Sequence, residues 1–199
     1  MVLTALYLAH LNPVTRAHME IIEYLKHEAD RVKVMPVVFW DGNREINSRS
    51  FPFSFEVRRN MLRSAVNGDI DITDDYRFIT PFKRYMPPLL SRMSWKLRAS
   101  VLRGVDGDFF SYTGDRAEGL MLRLYRLRPR VGQRRAISAA SVKAHMYEEA
   151  AGGSDSWSRS VPQGVADIIR SEWDTVQHYA GMSDDSVRIV GMKFPREGW

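Results

Sequence analysis

A short apolar run, Val2 to Leu8, gives way at once to the polar stretch Ala9-His10-Leu11-Asn12-Pro13-Val14-Thr15-Arg16-Ala17-His18. Apolar residues then recur at Met19, Ile22 and Leu25, with Ile21 alongside. The first run is short and rich in aliphatic and aromatic residues, which reads as a buried strand. The later spacing predicts a helix with one buried stripe. A strand, a tight loop and a helix entry within so few residues direct free backbone amides and the positive end of a helix dipole at one place. That arrangement suits a phosphate. Thr15 and His18 sit one helical turn apart, so a hydroxyl and an imidazole can face the same opening and stabilise developing charge.

The rest of the chain bounds this reading. At 199 residues it is expected to form one main domain over 1–180, with a C-terminal extension over 181–199. Hydrophobic residues at 44% and charged residues at 27% match an ordinary globular composition. No apolar run is long enough to span a bilayer and no leader segment is recognisable, so a cytoplasmic protein is expected. With no cysteine, disulfides and thiolate metal sites are excluded. A net charge of +5 favours anionic partners without separating nucleotides from nucleic acid.

Further elements follow in order. Arg31 to Trp40 reads as one strand with a bulge at Pro36, Arg44 to Pro52 as a mobile loop, and Phe55 to Val66 as a helix capped by Ser54. Short strands or an extended connection are expected over 69–73 and 77–79, and a helix from Pro87-Pro88 to about Leu102. Phe109 to Thr113 is a buried strand, Thr113-Gly114-Asp115-Arg116 a turn, and Glu118 to Leu127 an amphipathic helix. Arg123 to Arg135 reads as a basic connection, and Val187 to Val190 as an added edge strand. Ser138 is a good N-cap for the helix that follows, with Lys143 one turn later to share an anion with its free amides.

Two of these stretches carry a resemblance. Asn12-Pro13-Val14-Thr15-Arg16-Ala17-His18 resembles the "HIGH" helix-start signature of the nucleotidyltransferase superfamily. The Thr form is typical of phosphopantetheine adenylyltransferases and the His form of nicotinamide mononucleotide adenylyltransferases. Ala136-Ile137-Ser138-Ala139-Ala140-Ser141-Val142-Lys143 resembles that family's Ile-Ser-x-Thr/Ser-x-x-Arg/Lys motif, in the same chain order. The segment Phe51 to Leu62 and the stretch from Gly152 to Ile169 are similar to other parts of the same enzymes. The chain departs from the pattern at Ala9 and Ala17, where the family has glycine, and at Ala140, where it has a hydroxyl. Each added methyl narrows the backbone approach that a nucleotide needs.

The resemblance implies a doubly wound Rossmann-like α/β fold with a mainly parallel sheet. It implies nucleotidyl transfer, adenylyl from ATP first and cytidylyl from CTP as the open alternative, onto a phosphorylated small molecule such as nicotinamide mononucleotide or phosphopantetheine, with release of pyrophosphate. Thr15, His18 and Lys143 would be catalytic. Ala9, His10, Ala17, Thr113, Gly114, Ser138 and Ser141 would bind the nucleotide, and Arg58 or Arg59 the acceptor. Mg2+ would come with the triphosphate; no carboxylate cluster in the sequence marks a metal site. Partners are a nucleoside triphosphate and a phosphorylated small molecule, with no membrane; homo-oligomerisation stays open. The alternative is a catalytically silent nucleotide- or RNA-binding descendant of the fold, using the basic segment Arg123 to Arg135. Nucleic acid is disfavoured because only Tyr125 interleaves those arginines to stack a base.

Overall fold

The computed structural model describes residues 2–133, 135–189 and 191–199. Its centre is β1 (Leu3–Ala9), whose five middle residues are all buried. Alternation divides them: Ala5 and Tyr7 enter one hydrophobic core, Leu6 and Leu8 another on the opposite face. A strand buried on both faces must sit inside a sheet with cover on each side. β2 (Arg31–Pro36) and β7 (Asp108–Thr113) flank it, both parallel. With β5 (Asp71–Ile72) and β8 (Pro129–Val131) at the edges, the order is β5-β2-β1-β7-β8. Every pairing in this five-stranded sheet is parallel. The architecture is a doubly wound α/β fold.

The first core is covered by α1 (Arg16–Glu28), α2 (Phe55–Ala65), α5 (Ala139–Ala150), α6 (Gln163–Ser171) and α7 (Trp173–Ala180). The second lies beneath α3 (Arg92–Val101), α4 (Arg116–Leu124) and a smaller sheet of β4 (Arg44–Glu45), β3 (Val38–Asp41) and β6 (Arg77–Ile79). No described helix is long and apolar enough to cross a membrane.

Several expectations are corrected here. The expected strand from Arg31 to Trp40 is two strands: the chain leaves the central sheet at Val37, and β3 pairs with β4 and β6 instead. The segment 44–52 is not a loose loop. Ile46 and Phe51 are buried, Ser48 bridges Phe51, and the Arg49 guanidinium donates to carbonyls of Tyr179, Ala180 and Met182. The helix expected from Pro88 starts later, at Arg92, because Ser91 supplies the side-chain cap to the Met93 and Ser94 amides. Within the basic connection Arg123–Arg135, residues 129–131 form β8, and Arg134 lies outside the described residues. The expected edge strand at Val187 does not extend the central sheet. β9 (Ser186–Ile189) forms an antiparallel hairpin with β10 (Met192–Pro195), whose Met192 and Phe194 are buried in the second core. Val190, the last residue of that expected strand, lies outside the described residues.

Candidate active site

The chain winds from β1 to β2 on one side and returns to β7 on the other, so the carboxyl ends of β1 and β7 part. In doubly wound sheets this is where ligands bind. A cleft of about 290 Å3 opens there, lined by Ala9, His10, Ala17, His18, Thr113, Gly114 and Ser138 among others. Seven of the predicted site residues, from three separate stretches of sequence, meet in one wall.

His18 reaches this wall as the third residue of α1. The Thr15 amide donates to its Nδ1 at 3.0 Å, while the His18 amide donates to the Thr15 hydroxyl at 3.4 Å. This reciprocal capping box fixes the ring. Because Nδ1 accepts, the proton of the neutral imidazole sits on Nε2. Burial, followed by the charge of Lys143, pushes the His18 pKa down to about 4, so the ring is a neutral donor at physiological pH. Thr15 is itself fully buried in the cap and is not part of the cleft wall.

Opposite stands the start of α5. The Ser138 hydroxyl accepts from the Ser141 amide at 3.1 Å, and the Ser141 hydroxyl donates back to the Ser138 carbonyl at 2.9 Å. Ser141 is exposed and its hydroxyl serves the cap rather than the cleft. The first turn of α5 carries no acidic residue of its own. Lys143 follows one turn on and its Nζ donates to the Asn12 carbonyl at 2.6 Å, tying α5 to the loop after β1. Burial, and then the neighbouring Lys193, lower its pKa to about 7.

The loop after β1 is held by long-range contacts. Leu11 adopts a left-handed backbone with φ of 49°, an unusual state for a leucine. Asn12 is fully buried and clasps Phe53 with both ends of its amide, at 2.8 and 3.2 Å. Arg58 belongs to this support and is not available to an acceptor. Its guanidinium is 3% exposed, pairs with Glu45 at 3.1 Å, and donates to the His10 and Val37 carbonyls at 2.8 Å. Burial lowers its pKa to about 10 against the opposing pull of Glu45. Arg59 is away from the cleft wall, paired with Glu56 and lying over Phe55.

Two acidic residues in the wall were not expected. Asp115 is the N-cap of α4 and accepts from the Ala117 and Glu118 amides at 2.8 and 3.1 Å. The sequence signal was present in Asp115-Arg116-Ala117-Glu118, an Asp followed three residues later by Glu. Glu118 accepts the Thr113 hydroxyl proton at 2.6 Å, which occupies that hydroxyl. Burial raises the Glu118 pKa to about 7, against the hydrogen bond from Thr113.

Glu118 and Lys143 therefore titrate in the same range, and both changes act in one direction. As pH rises through about 7, Glu118 gains a negative charge and Lys143 loses a positive one. Affinity for an anion in the cleft is expected to fall between pH 6 and pH 8. Glu118→Gln should flatten the slope; a wild-type profile that Glu118→Gln leaves unchanged would show that this carboxyl does not titrate there. The comparison of the two proteins cancels the ionisation of the ligand itself.

No family model and no curated protein matches the sequence. Solved structures do match. One is a bifunctional NMN adenylyltransferase/ADP ribose pyrophosphatase from Francisella tularensis, complexed with AMP and Mn ion. It superposes with TM-score 0.60 at 13% identity over 90% of this chain. This chain spans only 52% of that protein's length. A protein from Vibrio parahaemolyticus assigned as a nicotinate-nucleotide adenylyltransferase gives TM-score 0.55 at 12% identity, over 89% of this chain and 96% of its own. The nicotinic acid mononucleotide adenylyltransferase of Plasmodium falciparum complexed with NaAD gives 0.52 at 12% identity, over 88% and 98%. At such identities the likeness establishes the fold alone, a Rossmann-like α/β fold.

Proposed function

We propose that the chain is a nucleotidyltransferase that moves AMP from ATP onto a phosphorylated small molecule. The observation that carries this reading is the pairing of a locked, neutral His18 with the capped start of α5 across a single cleft. An acceptor phosphate oxygen attacks the α-phosphorus of the triphosphate. The bond from that phosphorus to the bridging oxygen breaks, and pyrophosphate leaves. No covalent nucleophile on the protein is required, because positioning and charge stabilisation carry such transfers.

In this reading His18 donates its Nε2 proton, as a hydrogen bond, to an α-phosphate oxygen as charge builds there. The first amides of α5, with Lys143, hold the β- and γ-phosphates, and Ser138 keeps that helix start in shape. Thr15 acts through His18 by fixing its tautomer. Ala9, Ala17 and Gly114 form the floor against which the nucleotide lies. Among the described residues no group of three or more metal-ligating side chains comes together. In this reading a divalent ion, Mg2+ being the simplest, enters with the triphosphate and neutralises its charge. The Francisella protein, about half of which this chain spans, is complexed with AMP and Mn ion.

The basic segment supports the enzyme reading over an RNA-binding one. Arg128 pairs with Asp108 at 3.4 Å, Arg130 with Glu28 at 3.6 Å, and Arg126 lies over Trp95. None of the three lines the cleft. Neutralising all three to glutamine is expected to leave pyrophosphate release unchanged. An RNA binder would instead lose affinity, with a flatter salt dependence because fewer counterions are released. Pyrophosphate release from ATP that depends on a phosphorylated acceptor is the experiment that tests the assignment.

A further inference from the structure

The cleft has a second lobe of about 260 Å3 that shares His10, Asp115, Glu118 and Ala139 with the first. Its outer wall is not built by the β1–α1 or α5 motifs. Arg188, Gly191 and Lys193 of the C-terminal hairpin line it, facing Lys143 and His10. The hairpin is held in place by its own packing. Met192 and Phe194 are buried, and the Tyr76 hydroxyl donates to the Met192 sulfur at 3.3 Å. Gly191, at φ of +83°, lets the turn press on α4: a Cβ there would meet that of Ala117 at 2.4 Å.

Three cationic side chains, Lys143, Arg188 and Lys193, converge on the lobe. Lys193 pairs with Asp184 at 2.7 Å and donates to the Ser50 hydroxyl at 2.5 Å. Lys143 touches only a carbonyl, and Arg188 has no carboxylate partner among the described residues. Of the acids in the lobe, Asp115 is engaged by two amides and Glu118 by Thr113. The His10 ring packs on Phe51 at 4.8 Å, and its Nδ1 is buried without a partner. After burial, the charges of Lys143, Arg58, Lys193 and Arg188 help push the His10 pKa down to about 3, so the ring stays neutral among cations. In the tautomer with its proton on Nδ1, the neutral His10 ring can donate to an anion held by these cations.

Building on the nucleotidyl-transfer reading, we infer that this lobe is the acceptor subsite. The hairpin makes the enzyme take a phosphate monoester, which Arg188 and Lys193 receive. The shared wall then places that phosphate against the nucleotide lobe, where it must stand to attack.

The test uses the full-length chain with inorganic phosphate as the probe, titrated with and without saturating α,β-methylene-ATP. Arg188→Gln is expected to weaken phosphate binding about tenfold, the loss of one charge-assisted contact. Arg188→Lys should retain most of the affinity, and binding of the triphosphate analogue should change less than about twofold. Arg188 is exposed, so its substitution leaves the core intact. Gly191→Ala, which displaces the hairpin from α4, should reproduce the phosphate defect by a different route. Unchanged phosphate affinity in Arg188→Gln overturns the inference, as does an equal loss for phosphate and triphosphate. If Arg188→Gln loses phosphate while no triphosphate yields pyrophosphate, the anion subsite stands and the transferase reading falls. If pyrophosphate release persists with acceptor KM unchanged in Arg188→Gln, the subsite falls and the transferase reading stands.

Discussion

His18→Ala is expected to lower turnover by about 10²-fold or more, the usual cost of removing one donor aimed at charge that develops in the transition state. The alanine also removes half of the α1 capping box, which costs about 1 kcal/mol of stability and is read separately as a fall in Tm. His18→Gln separates the two effects. A glutamine at this helix position can reach back to the Thr15 amide as the imidazole does, so the cap is restored. It does not present the ring's fixed Nε2–H to the cleft, so turnover should stay low while Tm recovers. Because the His18 pKa is lowered to about 4, the ring holds its neutral form above that value. Its contribution to rate should therefore be constant from about pH 6 upward. Wild-type turnover in both variants would leave His18 a helix cap and nothing more.

Lys143→Ala should weaken triphosphate binding by about 10- to 100-fold, the range for a lost hydrogen bond to a charged group. Monophosphate binding should change far less, since the β- and γ-phosphates are what Lys143 grips beyond the first amides of α5. The contrast matters because Lys143 also donates to the Asn12 carbonyl at 2.6 Å. If that contact alone explained the residue, the loop after β1 would loosen and both ligands would suffer equally. Calorimetry with the two nucleotides, run below pH 7 where Lys143 is charged, distinguishes the cases. Equal losses would reduce Lys143 to a strut between α5 and that loop.

The parts of the fold legible in the sequence are those decided locally. The apolar run of β1, the Thr15 and His18 helix start, and the Ser54 and Ser138 caps each depend on residues within a turn or two. Each formed where the pattern placed it. What was not legible depends on distant partners. Nothing near Val37 says that the chain should change sheets there; β3 does so because its neighbours β4 and β6 come from later segments. β8 was hidden among arginines whose stems cover the edge, with Arg130 lying over Phe110 at 3.7 Å. In the site the same division holds. Residue types around the two motifs named Ala9, His10, Ala17, His18 and Ser138 in the cleft wall, whereas Glu118 enters it through a hydrogen bond with Thr113 at the end of β7. Arg58 shows the converse. A surface-looking arginine on α2 was an attractive phosphate ligand, but burial demands partners for a guanidinium, and Glu45 with two carbonyls supplies them. Ala9 and Ala17 do line the cleft as the motif places them, so their methyl groups act directly on whatever nucleotide enters.

The most direct test of the whole account is pyrophosphate release, measured over a panel of nucleoside triphosphates and phosphorylated acceptors with Mg2+ present. Release is expected with ATP, to require an acceptor bearing a phosphate monoester, and to fall by about 10²-fold or more in His18→Ala. Tight, salt-sensitive RNA binding that is abolished by neutralising Arg126, Arg128 and Arg130, with no pyrophosphate from any triphosphate, would contradict it.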